Sequence, residues 1–555
     1  MLLLNVRHMA RRPVFSAFNR PQSRKGNLLM YVRKDFHKST GFIQIMDDAL
    51  ARHPDLEAIV YGGWRMTYRE FGSCINRAAH MLLALGLGKG SPAAIISRNC
   101  PEFLILEFAL YKIGAVPVKI NWRLSPREMI GQLDASGAGH AFLRAEREDW
   151  GRELVGHYGG SLRFFDLSGD RRENSSFMQA IAGYPDEELS VELEDSDPAC
   201  HIHTSGTTGM AKTVVYTHGS ILDKISAVKE LYGYCEGDRL QFVSQLFHSA
   251  AIGAWLCFCT SGTLVLMSSF STDKYMASLE NERINAISVI PTILKWILDE
   301  LDKKDYDLSA LRVIRYSTCP VPQPLLERAL DRFHCEFYQS YGMTEMGSMV
   351  TILPPEDHLR GGSAHLATVG RPIPGTELAI MGEDGKLCAP GETGEILIKG
   401  PGVMQGYFGQ PVLTESRLKN GWYHSGDMGS LGEDGYLTLS GRIDDLIISG
   451  GENIYPLEIS NVLMELGDVT ECCAFGVPDE VWGEHVKACV VLAPGSRLTV
   501  EELFRYCQQH MPHFKAPKEI EILPALPKNA SGKVLIQPLR AGTWPGDAKV
   551  KNSIA

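Results

Sequence analysis

The sequence predicts an α/β protein: a large N-terminal domain of layered, mostly parallel sheets with helices plus a small β unit, then a small α+β C-terminal domain. Three observations carry this. From Phe42 onward, amphipathic helical stretches trade places with short apolar strands, the pattern of parallel sheets covered by helices. After Thr368 the texture shifts to short strands separated by many glycines. A second shift falls at Gly441-Arg442-Ile443-Asp444-Asp445. At 555 residues the chain is also longer than a single hydrophobic core usually grows.

Ile43 to Arg52 and Tyr68 to Leu85 carry apolar residues at spacings of three and four, and read as helices. Pro92 to Ser97 is an apolar strand, Glu102 to Ile113 is helical, and Gly114 to Val118 returns to strand. Residues 168–198 are polar and read as a surface connection, after which the sheet pattern resumes at Ala199. Gly394 to Ile398 and Gly435 to Leu439 mark the small antiparallel β unit. Beyond Asp445, Val469 to Val477 and Val486 to Leu492 read as a βαβ-like alternation. The expected domains are therefore a tail at 1–41, an N-terminal domain at 42–443, a C-terminal domain at 444–545 and a tail at 546–555.

Composition narrows the function classes. Apolar residues at 44% and charged ones at 22% exclude a disordered or collagen-like chain. A net charge of -11 disfavours nucleic acid as a bulk partner. Thirteen cysteines lie without framework or zinc spacing and fit free thiols in a reducing compartment. The uncharged run from Ala250 to Met267 is broken by Thr260-Ser261-Gly262-Thr263, so it reads as helix, turn and strand (Leu264 to Met267), not as a transmembrane span. Met1 to Lys34 is basic and without an acid. It is read as a tail of a cytoplasmic protein, with a mitochondrial transit peptide as the alternative and Met30 as a second candidate start.

Four segments carry candidate chemistry. Thr204-Ser205-Gly206-Thr207-Thr208-Gly209, followed by Lys212, follows a short strand and leaves backbone N–H groups open to phosphate oxygens, with lysine adding charge. It lacks the Walker A spacing, and alone it fits a flexible turn as well. In Gln339-Ser340-Tyr341-Gly342-Met343-Thr344-Glu345, an aromatic ring suits a base, a hydroxyl suits a phosphate and a carboxylate suits Mg²⁺. Asp427 lies fifteen residues before Arg442; an aspartate suits ribose hydroxyls, an arginine a nucleotide's charge. Lys533 ends a polar turn, Lys528-Asn529-Ala530-Ser531-Gly532.

In this order and spacing the four segments resemble the adenylate-forming superfamily of acyl-CoA synthetases, aryl-CoA ligases, luciferases and peptide-synthetase adenylation domains. The resemblance runs from about Phe42 to Arg540 and includes Phe247-His248, Gly394-Glu395, Gly450-Gly451-Glu452-Asn453-Ile454 and Gly476-Val477-Pro478-Asp479. It implies ATP, Mg²⁺ and CoA as partners of a small-molecule carboxylic acid, joined through acyl-AMP. By resemblance, Thr204 to Gly209 and Lys212 cradle the β- and γ-phosphates. Tyr341 stacks the adenine beside Gln339 and Gly342, and Thr344 approaches the α-phosphate. Glu345 holds Mg²⁺, Asp427 binds the ribose with Arg442 assisting, and Lys533 neutralises charge during adenylation. The C-terminal domain is then mobile, turning about Asp444, and Gly450 and Gly451 line the pantetheine tunnel.

Two departures stand out. The phosphate loop continues Ala211-Lys212-Thr213 where the family usually has Pro-Lys-Gly. Ser317-Thr318-Cys319-Pro320 stands where it usually has Gly-Gly-Ala-Pro. His248 replaces the aspartate that peptide-synthetase domains use for an amino acid's ammonium, which disfavours that substrate. The resemblance places His248 at the mouth of the acyl pocket, with Ala251 and Gly253 on its wall; Trp255 fits either the wall or the core. No charge falls between Ser249 and Thr272, so an apolar substrate end, fatty or aryl, is expected. The alternative acceptor to CoA is an acyl carrier protein.

Overall fold

The computed structural model describes residues 41–145, 148–169, 172–204, 212–318, 321–360, 365–528 and 533–544. The N-terminal tail to residue 40, the core of the phosphate loop (205–211), Cys319-Pro320, residues 529–532 and the tail from 545 lie outside these.

Two large sheets draw all but one of their strands from residues 57–372. One has nine strands, its centre parallel (Glu57–Tyr61, Thr263–Leu266, Arg239–Phe242, Ala286–Val289, Val313–Ser317, Glu336–Tyr341). The other has seven, with Pro92–Ile96 and Val116–Ile120 pairing in parallel at its middle. Strands covered on both faces read as continuous apolar runs, and all five residues of Val116–Ile120 are buried. The helix Pro101–Lys112 is buried along all twelve residues, which is why its sequence is apolar nearly all round. Tyr68–Ala84 begins at a capping box: the Glu70 N–H donates to Thr67 Oγ1 (3.2 Å), and Glu70 Oε2 accepts from the Thr67 N–H (3.0 Å).

One charged pair crosses this apolar interior. Lys119, in the middle of its strand, and Glu107 of the buried helix are both fully buried and paired. Tyr111 OH donates to the same carboxylate (2.9 Å), and the Lys119 ammonium lies 4.7 Å from the centre of the Trp255 ring. Removing either partner alone would strand a buried charge, at a cost of roughly 3–5 kcal/mol.

A buried histidine holds the backbone at Phe42. The Phe42 N–H donates to His218 Nδ1 (3.1 Å), so that nitrogen must be unprotonated. Burial pushes the imidazole down from 6.5 to about 4, with Asp197 opposing and Lys89 reinforcing the shift. Unfolded, the ring protonates near 6.5. Between 6.5 and 4 the unfolded chain therefore binds more protons, and stability falls as pH falls. Urea unfolding midpoints are expected to drop more steeply from pH 7 to 5 in the wild type than in His218→Asn, which keeps an acceptor but no titration. Equal slopes would remove His218 from the acid response.

Three findings differ from the sequence reading. The polar connection 168–198 contains a short helix, Ser176–Ile181, which buries Phe177, Met178 and Ile181. Val469–Asp479 and Gly483–Leu492 are not a βαβ unit but an antiparallel hairpin, because three residues between them leave no length for a crossover. The strand that ends the uncharged run is Thr263–Leu266, one residue earlier than expected, after the helix Ile252–Cys259. No helix among the described residues is long and apolar enough to cross a membrane.

The glycine-rich region forms a separate antiparallel sheet that includes Gly394–Lys399, Trp422–Leu431 and Leu437–Arg442. The last sheet (Ile447–Ser449, Glu452–Ile454, the long hairpin and Glu519–Ile522) packs on two apolar clusters made only of residues after Leu446. Two of its hydrogen bonds to the rest of the chain come from Asn453, whose amide donates to Glu383 (2.8 Å), and Lys528, whose ammonium donates to Thr292 Oγ1 (3.4 Å).

Candidate active site

The strand Glu336–Tyr341 of the nine-stranded sheet delivers Tyr341, its last residue, to Asp427: Tyr341 OH donates to Oδ2 (2.8 Å). Arg442 Nε donates to the other oxygen, Oδ1 (2.7 Å). The fifteen-residue spacing thus becomes a direct cross-strand pair, Asp427 opposite Arg442 in an antiparallel ladder. Each carboxylate oxygen retains acceptor capacity toward hydroxyls arriving from outside. Burial works against the Arg442 charge, but Asp427 overrides it and holds the guanidinium protonated. Burial and the same carboxylate keep the Tyr341 phenol protonated.

Past Tyr341 the chain turns tightly. A Cβ on Gly342 would lie 1.7 Å from the Ser348 carbonyl oxygen, so only glycine fits the turn. A 3₁₀ turn, Thr344–Met346, follows and closes on Gly347 in the left-handed region. Thr344 is held from two sides: Tyr216 OH donates to its carbonyl, and Ser249 Oγ shares a hydrogen bond with its hydroxyl (3.3 Å). Glu345 Oε1 accepts from Tyr407 OH (2.9 Å), and the Lys212 ammonium lies 5.8 Å from the centre of the same tyrosine ring. Thr204 and Lys212 pair across adjacent strands and so flank the loop expected from the sequence to bind phosphate, whose Ser205, Gly206, Thr207, Thr208 and Gly209 lie outside the described residues.

Lys533 reaches this cluster from the C-terminal sheet, on a loop closed by the Lys528–Val534 bridge. Burial of its surroundings, then the Arg442 charge, lower its pKa, while Asp445 and Asp427 oppose them. The structure therefore brings Tyr341, Asp427, Arg442 and Lys533 to one place, with Thr344 and Glu345 on the adjoining turn. Gln339 is buried instead, within hydrogen-bond reach of Tyr316 OH (3.4 Å). Thr318, in the segment that departs from the family pattern, has φ +84°, a region β-branched residues rarely adopt.

Beside Thr344 lies a cavity lined by Tyr216, Ser220, Lys224, Ser249, Ile252 and Trp255, among others. From the uncharged segment it takes Ser249, Ile252 and Trp255, one face of a helical turn. Ala251 and Gly253 are buried but do not line it; a Cβ on Gly253 would meet Phe242 at 3.6 Å. The His248 ring lies against Phe247, tilted by 38° with 5.0 Å between ring centres. Burial and then Arg123 push it down to about 4, so it is neutral at neutral pH. Gly450 and Gly451 sit apart, in the exposed turn between Ile447–Ser449 and Glu452–Ile454, both with positive φ.

Sequence reasoning missed Tyr216, Tyr407 and Lys224, none of which belongs to a motif. Only Lys224 left a signal: it falls in the apolar stripe of the helix His218–Val228, between Ile221 and Val228.

Comparison with known proteins identifies the family. The family model described as AMP-binding enzyme matches residues 46–408, and the AMP-binding enzyme C-terminal domain matches residues 458–533. The feruloyl-CoA synthase of an Amycolatopsis species is 35% identical over 490 residues, covering 87% of this chain and 95% of that protein. The fatty acid–[acyl-carrier-protein] ligase ScoC of Streptomyces coeruleorubidus is 32% identical over 511 residues, covering 90% and 96%. The o-succinylbenzoate CoA synthetase of Bacillus subtilis, solved with its acyl-adenylate intermediate, superposes with a TM-score of 0.79 at 30% identity, over 91% of this chain and 99% of that one. This chain therefore belongs to the AMP-binding enzymes, the adenylate-forming family of the acyl- and aryl-CoA ligases.

Proposed function

We infer that the protein activates a fatty or aryl carboxylic acid with ATP and passes the acyl group to CoA. It is an acid–thiol ligase of the AMP-forming kind. The observation that carries the site assignment is the convergence of Lys533 on the Asp427–Arg442 pair beside Thr344 and Glu345. In the first half-reaction a substrate carboxylate oxygen bonds to the α-phosphorus and the bond to pyrophosphate breaks. Two anions meet in that step, so Lys533 and Arg442 serve as the offsetting cations. Asp427 takes the ribose hydroxyls, the Tyr341 ring faces the base, and Thr344 orients the α-phosphate. In the second half-reaction the CoA sulfur bonds to the acyl carbon, and the bond to AMP breaks.

The residues also fit Mg²⁺ arriving with the triphosphate. Among the described residues no group of three or more His, Cys, Asp or Glu could hold a metal ion. A magnesium site that relies on one carboxylate, phosphate oxygens and water needs no such cage, and Glu345 is the carboxylate placed for it. The Bacillus subtilis synthetase was also solved with ATP and a magnesium ion. The Gly450-Gly451 turn is the proposed wall for pantetheine, and Asp444 the hinge that brings it over.

The test is to mix purified protein with Mg-ATP and a panel of short, medium, long and aromatic acids, reading pyrophosphate and acyl products with and without CoA. Acyl-CoA from one acid class is the expected result. Acyl-AMP and pyrophosphate without a thioester would remove CoA. The acceptor would then be a carrier protein, the reading that the similarity to the Streptomyces carrier-protein ligase favours.

A further inference from the structure

Glu345 is half-buried, and among the described residues no lysine, arginine or histidine forms an ion pair with it. Among those residues its side chain has one partner, and that partner is neutral: Tyr407 OH donates to Oε1 (2.9 Å). A carboxylate drawn partly out of water keeps an unanswered charge, which suits a cation that arrives with the substrate. A lysine or arginine in place of Tyr407 would hold the carboxylate too, but it would cancel that charge. The phenol fixes one oxygen and leaves Oε2 without a partner among the described residues.

Tyr407 is itself tied to several parts of the site. It is 4% exposed, and its short strand, Gly406–Tyr407, pairs with Val214 and Val215 of the strand that begins at Lys212. Just before it, the Met404 N–H donates to the Glu345 carbonyl (2.9 Å), so one segment holds both the backbone and the side chain of Glu345. The phenol oxygen also lies 3.4 Å from Tyr423 OH. Because the Tyr407 proton goes to Glu345, Tyr423 is the donor of that pair. Tyr423 is equally buried and stands on the strand Trp422–Leu431, which carries Asp427. A line of hydroxyls therefore runs from the Asp427 strand to the Glu345 carboxylate. Magnesium demands near-ideal octahedral geometry with oxygens at about 2.0–2.1 Å, and a carboxylate free to turn about its side-chain torsions meets that demand poorly.

We propose that Tyr407 is a positioning residue which, with Tyr423 behind it, orients Glu345 toward the magnesium of Mg-ATP and so sets the preference for magnesium-bound over metal-free ATP. This rests on the reading of Glu345 as the magnesium ligand. Tyr407 acts through that carboxylate and not on the nucleotide.

The experiment is calorimetric titration of the protein with Mg-ATP and with ATP in EDTA, without acid or CoA, so that no turnover intervenes. Wild type, Tyr407→Phe, Tyr423→Phe, Glu345→Gln and the Tyr407→Phe/Glu345→Gln double variant are compared after thermal melts confirm folding. Phenylalanine keeps the ring against which Lys212 lies and removes only the hydroxyl. Wild type is expected to bind Mg-ATP more tightly than metal-free ATP, and Glu345→Gln to lose most of that advantage. Tyr407→Phe is expected to weaken Mg-ATP binding by about 10–100-fold, the usual effect of removing the partner of a metal ligand, while metal-free binding holds. Tyr423→Phe acts in the same sense by a smaller factor. In the Glu345→Gln background Tyr407→Phe adds nothing, because its effect passes through the carboxylate. Equal losses with and without magnesium, unchanged Mg-ATP binding in Tyr407→Phe, or an additive loss in the double variant each overturn the proposal and leave the Glu345 reading intact. Should Tyr407→Phe not fold, Tyr423→Phe decides by the first two of these outcomes. A magnesium advantage that survives Glu345→Gln overturns the Glu345 reading, and the proposal with it.

Discussion

Lys533→Ala is expected to lower the rate of acyl-AMP formation by roughly 10²–10³, a barrier increase of ~3–4 kcal/mol, comparable to deleting an oxyanion-stabilising donor. The reason is electrostatic. The substrate carboxylate approaches a phosphorus already surrounded by negative oxygens, and Lys533 and Arg442 bring positive charge to the Asp427 end of the site. Arg442 is largely committed, because Asp427 accepts from it at 2.7 Å. Lys533 sits among charges of both signs: burial and Arg442 lower its pKa, while Asp445 and Asp427 oppose them. Thioester formation from chemically supplied acyl-AMP needs no second anion at phosphorus, so that half-reaction should keep its rate. ATP–pyrophosphate exchange measures the first step and CoA acylation from supplied acyl-AMP the second. An equal fall in both would take the charge-neutralising role away from Lys533.

The layered architecture was legible because parallel strands buried on both faces leave an unmistakable apolar trace, as in Val116–Ile120 and the helix before it. Pairing was less legible, since a strand pattern says nothing about its neighbour. Val469–Asp479 and Gly483–Leu492 look alike whether they lie parallel or antiparallel; the three residues between them decide it. The helix Ser176–Ile181 escaped notice because its three buried residues lie within a stretch dominated by acids and serines. At the site, motif residues were found because their chemistry is local in sequence, Thr344 with Glu345 and Asp427 fifteen residues from Arg442. Tyr216 and Tyr407 come from strands that meet the Thr344 turn only after folding, and nothing in their own neighbourhoods marks them. From the segment that holds Ala251 and Gly253, the cavity beside Thr344 takes Ser249, Ile252 and Trp255, one face of the helical turn.

Asp444→Pro separates the two half-reactions in the opposite sense. Asp444 is exposed in the 3₁₀ turn Ile443–Asp445, directly after Arg442, which is extended at φ -116° and ψ 147°. A proline's fixed φ near -65° suits a 3₁₀ turn, so the present arrangement, with Lys533 beside Asp427 and Arg442, survives the substitution. Rotation about this residue requires φ to leave that well, and a residue forced from its preferred region costs ~1–3 kcal/mol. Thioester formation should therefore fall by roughly 10–100-fold while ATP–pyrophosphate exchange holds. The surface around the proposed pantetheine turn gives a reason for the rotation. Ile448 is 54% exposed, Trp482 51% and Val481 81%, an apolar patch beside Gly450 that the present arrangement leaves in water. Swinging it against the N-terminal domain would cover those side chains and bring Gly450 and Gly451 to the acyl-AMP. Asp444→Ala, which keeps φ free, serves as the control and should retain both half-reactions. If Asp444→Pro forms thioester at the rate of Asp444→Ala, the turn at Ile443–Asp445 is not the hinge.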